Sequence, residues 1–437
     1  MPSPTRRALL AAAGTAALAG CTSLDGLVGR STPDPAPFLH EPTDWAHPRY
    51  DAGNTGAAPG AAAPEGLPDE PAWTASVEAD GVDHVHPPVV ADGVIYLPFQ
   101  GYDREEFVRL VAFDASAGEE RWRLGRSEGV HPYTPAVARE TVYWLTDGNR
   151  RLALNAADGS VRWARGGPNH RRPIPAHGVL FDLAGSSTDP RLVARDPDTG
   201  DTYWRRGNEG EWRLLGADGE RFYARLDAQD GNEATRLHAI DPPTGETRWE
   251  TDRLAPFLEP LVAREGRVFG TDGRPDSKRL VALDPATGEE EWSVERDLQR
   301  PFDDGERLVN GDQPLAALTD DTLLVHVDFH GIYDDRIEAR DPASGEVRWT
   351  YADEGDVPVS FGRPVVAGDR VYLTTVTDQR GDGWPSGSLR TLSLADGSER
   401  ERVPLDTPSF VGPVVADGRC LVVTRDEERR LSLVARA

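Results

Sequence analysis

Leu280-Val281-Ala282-Leu283-Asp284-Pro285-Ala286-Thr287-Gly288-Glu289-Glu290-Glu291-Trp292 reads as two strands joined by a tight turn. The run up to Leu283 keeps the period of two that belongs to a strand. Asp284 can bond the backbone two residues on, Pro285 presets φ at about −65°, and Gly288 accepts a positive φ where the chain reverses. The same turn recurs as Asp196-Pro197-Asp198-Thr199-Gly200, Asp241-Pro242-Pro243-Thr244-Gly245 and Asp341-Pro342-Ala343-Ser344-Gly345. A glycine stands four residues before a tryptophan six times, at Gly118, Gly159, Gly200, Gly245, Gly288 and Gly345.

The tryptophans themselves recur at 73, 122, 163, 204, 249, 292 and 349, spaced by 41 to 57 residues. Such a period marks a propeller or a solenoid. Each unit also opens on a proline-led apolar strand, a turn and a second strand, as in Pro88 to Tyr96, Pro135 to Tyr143, Pro364 to Tyr372 and Pro413 to Leu421. Further starts fall near 175, 260 and 314, and a degenerate one near Leu214 makes eight. The seventh hairpin, Ala395-Asp396-Gly397-Ser398, offers Glu401 where a tryptophan is expected.

The two ends are incomplete in complementary ways. Trp73 has no hairpin before it, and the last unit stops at residues 431–437 without its outer strand. Pairing these orphans closes a ring and removes exposed sheet edges. The sequence therefore predicts an all-β fold, an eight-bladed β-propeller with four-stranded blades. Each repeat tryptophan is expected to pack between neighbouring blades.

Composition agrees with a turn-rich β fold: 44 Gly and 36 Pro among 437 residues. Acidic residues number 74 against 48 basic ones, for a net charge of −26. That balance excludes nucleic acid as the main partner, because phosphate binding needs clustered cations. Lys278 is the single lysine, the other basic residues being arginine. An acidic, almost lysine-free surface fits molar salt, where screening suppresses self-repulsion; GC-rich codon usage is the alternative source of the bias. Of the two cysteines, Cys420 lies in an apolar run and reads as a buried, inert thiol.

The first residues carry an export signal. Arg6 and Arg7 precede thirteen apolar or small residues and then Cys21, a stretch too short to span a bilayer but suited to a signal peptide. The paired arginines resemble a twin-arginine signal. Leu18-Ala19-Gly20-Cys21 resembles a lipobox, with Cys21 as the lipidated residue; an ordinary cleaved signal is the other reading. Residues 1–20 are thus read as the signal peptide, 21–40 as a flexible tether and 41–437 as the propeller. The expected product is a monomer tethered by lipid to the outer face of the cell membrane.

Segments leading into the first strand of each blade should gather at one mouth of the central channel. They bring His84, His86, His131, Tyr133, Arg171, Arg172 and Arg363 to that rim, a cationic patch suited to an anionic ligand or an acidic partner tail. Accidental turn polarity explains the same residues without a ligand. Trp384, in a Gly/Pro-rich insert, is a candidate aromatic anchor. His326, Asp328 and His330 share one strand face, but no fourth ligand is visible and no metal is expected.

The unit Pro-Val-Val-Ala-Asp-Gly-x-Val-Tyr followed by Leu-x-Ala-x-Asp-x-x-Thr-Gly-Glu-x-x-Trp resembles the repeat of the pyrroloquinoline-quinone-type β-propellers. It does so over residues 73–437, and Trp45 to Ala58 is similar to the stretch that commonly precedes the first blade. Within that family, an exported lipoprotein with no further domain resembles the BamB-type assembly factors, which implies a non-enzymatic scaffold for an exported or membrane protein. A single-membrane, haloarchaeal source leaves no outer membrane to assemble, so the resemblance then implies only a scaffold or binding protein. The quinoprotein alcohol dehydrogenases share the repeat, but the resemblance implies for them a vicinal disulfide over the quinone and a calcium ion held by Glu, Asn and Asp. No adjacent cysteines occur here. The expectation is therefore no cofactor and no enzyme, with a quinone-dependent dehydrogenase or a small-anion receptor as alternatives.

Overall fold

The computed structural model describes residues 43–437 apart from 78–80, 104, 127–132, 147–149, 169–171, 187–188, 208–209, 228–234, 252–260, 265, 275–276, 296–298, 302–307, 311–314, 328–334, 354, 356–358 and 378–384. Eight antiparallel sheets succeed one another along the chain. Their inner strands are Val89–Ala91, Ala136–Ala138, Ile174–Ala176, Glu211–Ala217, Val262–Arg264, Leu315–Leu318, Val365–Ala367 and Val414–Ala416, which number blades one to eight. Each blade then runs outward through two longer strands to a fourth. The fourth strands of blades one to seven are Glu120–Arg126, Val161–Gly166, Thr202–Arg205, Thr247–Thr251, Glu290–Glu295, Val347–Ala352 and Glu399–Leu405.

Blade eight takes its fourth strand from the other end of the sequence. Trp73–Val77 pairs antiparallel with Leu431–Arg436, in a register that sets Trp73 opposite Ala435 and Val77 opposite Leu431. The ring is thus closed as the incomplete ends predict. The long interval before Trp349 carries a small extra hairpin, Gln299–Pro301 against Leu308–Asn310.

The apolar core lies between blades rather than within them. Phe181 of blade three stacks on Phe222 of blade four with centroids 3.8 Å apart. Val89, Tyr96 and Trp122 of blade one pack with Val142 and Leu152 of blade two. Every repeat tryptophan crosses such a seam. Its ring lies on the turn glycine of the next blade, and its indole N–H donates to a carbonyl of that turn: Trp122 to Ala156 at 2.8 Å, Trp204 to Pro242 at 2.9 Å, Trp292 to Pro342 at 3.0 Å. At about 25 cal/mol per Å² and roughly 200 Å² per ring, each staple stabilises its seam by several kcal/mol.

Blade seven shows why Glu401 replaces the tryptophan. The next blade is the closing one, and its third and fourth strands come from opposite ends of the chain, so it has no turn on which an indole can dock. The segment before Trp73 fills that place. Arg436 donates to the Pro68 and Asp69 carbonyls at 2.5 and 2.6 Å, and Glu401 accepts the Leu67 N–H at 3.3 Å and the Thr391 hydroxyl at 2.9 Å.

Candidate functional site

The stretch before the first blade is built into the ring as a plug. Its backbone meets the inner strands one after another. Trp45 exchanges two bonds with Val90 of blade one, and Ala46 accepts from Val137 of blade two. Ala52 accepts from Ala217, Gly53 from Ala263, Thr55 from Leu318 and Gly56 from Val366, which carries the plug past blades four to seven. Ala57–Ala58 adds a short parallel strand beside Val366 and Ala367, and Ala62 accepts from Gly418 of blade eight at 3.1 Å. Blade three is reached by a side chain, Arg172 donating to Asn54 Oδ1 at 3.3 Å. Ala217 and Leu318 end their inner strands and Gly418 lies in the turn that follows one, so the plug covers the end of the ring where first and second strands are joined.

Small residues make this path possible. A Cβ on Gly53 would lie 2.1 Å from the Ala263 carbonyl oxygen, inside any contact a side chain can tolerate. The loop is pinned by Asp51, which accepts the Thr55 N–H at 2.9 Å and hydroxyl at 2.6 Å, and by Asn54, whose amide donates to the Leu215 and Leu261 carbonyls. Desolvation in this setting raises the Asp51 carboxyl pKa, the Thr55 bonds opposing it.

Two cavities flank the plug. On its outer side lies a basin of about 630 Å³, floored by Ala52, Gly53, Thr55 and Ala57 to Pro59 and rimmed by Asp218, Gly219, Arg264, Thr319 and Asp320. Arg264 pairs with Asp320 at 2.8 Å. On the inner side a cavity of about 30 Å³ is lined by Trp45, Pro48, Arg49, Gly56, Pro87, Ala316, Arg363, Val365 and Gly412 to Val414.

Three arginines converge on this inner side. Arg172 and Arg363 lead into blades three and seven, opposite one another in an eight-bladed ring, and Arg49 comes from the plug. Arg49 is 6% exposed and donates through Nη2 to the Leu315 carbonyl at 2.9 Å and to that of Ala316. Burial, then the charges of Arg363 and Arg172, hold its pKa well below the ordinary arginine value. Burial, then Arg172, pushes Arg363 down to about 10.

Of the rim residues expected from sequence, the structure therefore unites Arg172 and Arg363 and adds Arg49, which the sequence reading passed over. His84 is exposed on a strand that pairs it with Gln100. His86 and Tyr133 are partly exposed; the His86 N–H donates to the Pro98 carbonyl, and the Tyr133 carbonyl accepts the Trp144 indole N–H at 3.1 Å. His131, Arg171, Trp384 and Cys21 lie outside the described residues. His326 is buried, its Nε2 3.5 Å from Asp335, while Asp328 and His330 are outside the described residues.

The model of the family described as outer membrane protein assembly factor BamB matches residues 67–180 and 188–436. Two curated relatives are quinoprotein ethanol dehydrogenases. That of Pseudomonas aeruginosa is 26% identical over 193 residues, 42% of this chain and 24% of the enzyme. That of Pseudomonas putida is 25% identical over 196 residues, 43% of this chain and 25% of the enzyme. The matched stretch thus spans about a quarter of each relative. Among solved structures, the quinohemoprotein alcohol dehydrogenase from Comamonas testosteroni aligns with TM-score 0.61 at 15% identity, over 90% of this chain and 80% of that one. BamB from Moraxella catarrhalis aligns with TM-score 0.50 at 14% identity, over 84% and 97%. These likenesses are of fold. The expectation that the chain is not an enzyme does not stand against them, because the named proteins it matches in sequence are dehydrogenases.

Proposed function

The chain belongs to the family of the outer membrane protein assembly factor BamB, and from that premise we propose that it is an extracytoplasmic binding propeller, held at the membrane by lipid on Cys21, that takes a segment of a partner protein into the basin outside its plug. The observation that carries this reading is the basin itself, about 630 Å³ and so within the roughly 300–1,000 Å³ of ordinary binding pockets. Its floor is backbone and small side chains held by the inner strands of blades four to seven, and Asp320, 85% exposed at the rim, favours a cationic segment that competes with Arg264 for it. The test is a photo-crosslinking side chain at Gly219, where a Cβ meets nothing within 4 Å. In the native host it should yield one discrete protein adduct that is lost in an Asp320→Arg variant. The same probe at Gly125, equally open on an outer strand, should yield none. Absence of an adduct at 219, or one indifferent to the reversal, would sink the reading.

A second reading, a dehydrogenase using pyrroloquinoline quinone, is favoured by the two ethanol dehydrogenase matches. The residues around the axial cavity do not fit that group: about 30 Å³ cannot take a tricyclic quinone, and the described cysteine, Cys420, is buried in blade eight without a neighbouring thiol. Dye reduction with added quinone, calcium and an alcohol panel would establish this activity.

A further inference from the structure

The side chains that line the inner cavity carry hydrogen-bond donors and no acceptor. Trp45 Nε1, Arg49 Nε and Arg49 Nη1 are buried and have no hydrogen-bond partner among the described residues. Both side chains line the same space of about 30 Å³, and they are 1% and 6% exposed. The rest of the lining is Arg363 and apolar groups, with no carboxylate. Nη2 of Arg49 donates to the Leu315 and Ala316 carbonyls, which leaves Nε and Nη1 over.

A water molecule answers this poorly. It needs two acceptors for its own hydrogens, and the side chains here carry donors alone. A halide accepts from every direction and has none to place. Size agrees, since one water-sized sphere needs roughly 10–15 Å³ and the space leaves no room for a chain behind an anionic head. From these donors and this volume we propose that the axial cavity binds a small inorganic monoanion, chloride being the reference ligand, between the Trp45 indole N–H and the Arg49 guanidinium, with Arg363 as the cationic wall. The anion also offsets the desolvation of Arg49 and Arg363 and, after it, their repulsion from each other and from Arg172, the causes that lower their pKa values.

The site is independent of the basin and of any partner protein. It is tested on the full chain by diffraction at the bromine edge from crystals grown in sodium bromide, together with melting in chloride against gluconate at equal ionic strength. An anomalous peak between Trp45 and Arg49 is expected, with a saturable rise of the melting temperature in halide that gluconate does not give. Since Arg49→Gln removes a plug contact and risks folding, the informative variant is Trp45→Phe. It keeps the edge contact to Tyr50 but removes one donor, and should raise the half-saturating chloride concentration about tenfold. No anomalous peak, equal melting in the two salts, or an unshifted midpoint in Trp45→Phe each overturns the proposal.

Discussion

A methyl group on Gly288 would lie 2.5 Å from Cε3 of Trp249, the ring whose N–H donates to the Pro285 carbonyl at 2.8 Å in the same turn. One turn thus holds its own reversal and the seam between blades four and five. Gly288 has a φ of 73°, so alanine there meets both backbone strain and a ring that cannot withdraw. Gly288→Ala should cost about 2–4 kcal/mol, the sum of the left-handed penalty and overpacking. Gly418 has a φ of 69° with nothing within 4 Å of a built Cβ, and Gly418→Ala should cost only about 1 kcal/mol. Urea denaturation of the two variants isolates the tryptophan contact, and equal losses would refute its role.

Restoring the repeat residue in blade seven should harm the protein. Glu401→Trp brings an indole to a seam with no turn carbonyl to receive it, and removes the acceptor of the Leu67 N–H and the Thr391 hydroxyl. A loss of about 1–3 kcal/mol is expected from the stranded groups and overpacking. A consensus argument predicts the opposite sign, so one melting curve decides.

The seam between blades two and three carries an ionic link beside its tryptophan staple. Asp182, fully buried, accepts from Arg151 Nε and, at 2.8 Å, from Arg195 Nε. Asp182→Asn leaves two buried guanidinium groups with no counter-charge and should destabilise by about 3–5 kcal/mol. Chemical denaturation measures it, and a loss below about 1 kcal/mol would mean water reaches the pair.

The Cys420 thiol should be inert in the folded protein. Burial in the blade-eight core pushes its pKa up to about 12, so almost no thiolate exists at pH 8. A thiol-specific disulfide reagent should react only at the rate of unfolding, with an immediate burst on adding guanidinium. A fast reaction without denaturant would contradict the burial.

What was legible in the sequence followed from local chemistry. Asp, Pro and Gly at fixed offsets announce turns wherever they stand, and the pairing of the Trp73 strand with residues 431–437 was readable because two incomplete units have one common completion. The plug was not legible by that route. Asp51 to Gly56 carries no periodicity, its bonds run to strands as distant as that of Val366, and Arg49 looks like one more arginine in an arginine-rich chain. Arg172 and Arg363 were found as rim charges, but their convergence on Arg49 depends on the ring bringing opposite blades together. The Glu401 substitution was visible, while its cause, a closing blade without a turn, needed the fold.

His238 gives the fold an acid limit that can be assigned. It is 2% exposed, its ring centroid 5.1 Å from that of Trp212, with Thr247 and the half-exposed Glu250 each 3.5 Å from Nδ1. Burial first, then Arg206 and Arg236, pushes its pKa down to about 4. The unfolded chain, titrating near 6.5, binds the proton that the folded chain refuses between these values. Stability from this residue is therefore complete above pH 6.5 and lost as pH falls toward 4, by on the order of 3 kcal/mol. Carboxylates add their own acid sensitivity, and His177 shifts in the same direction by burial, so the difference between wild type and His238→Gln is the quantity to measure. The variant should show a shallower fall between pH 6.5 and 4 in urea midpoints. Parallel curves would mean that His238 is protonated in the folded protein, with Glu250 as its partner.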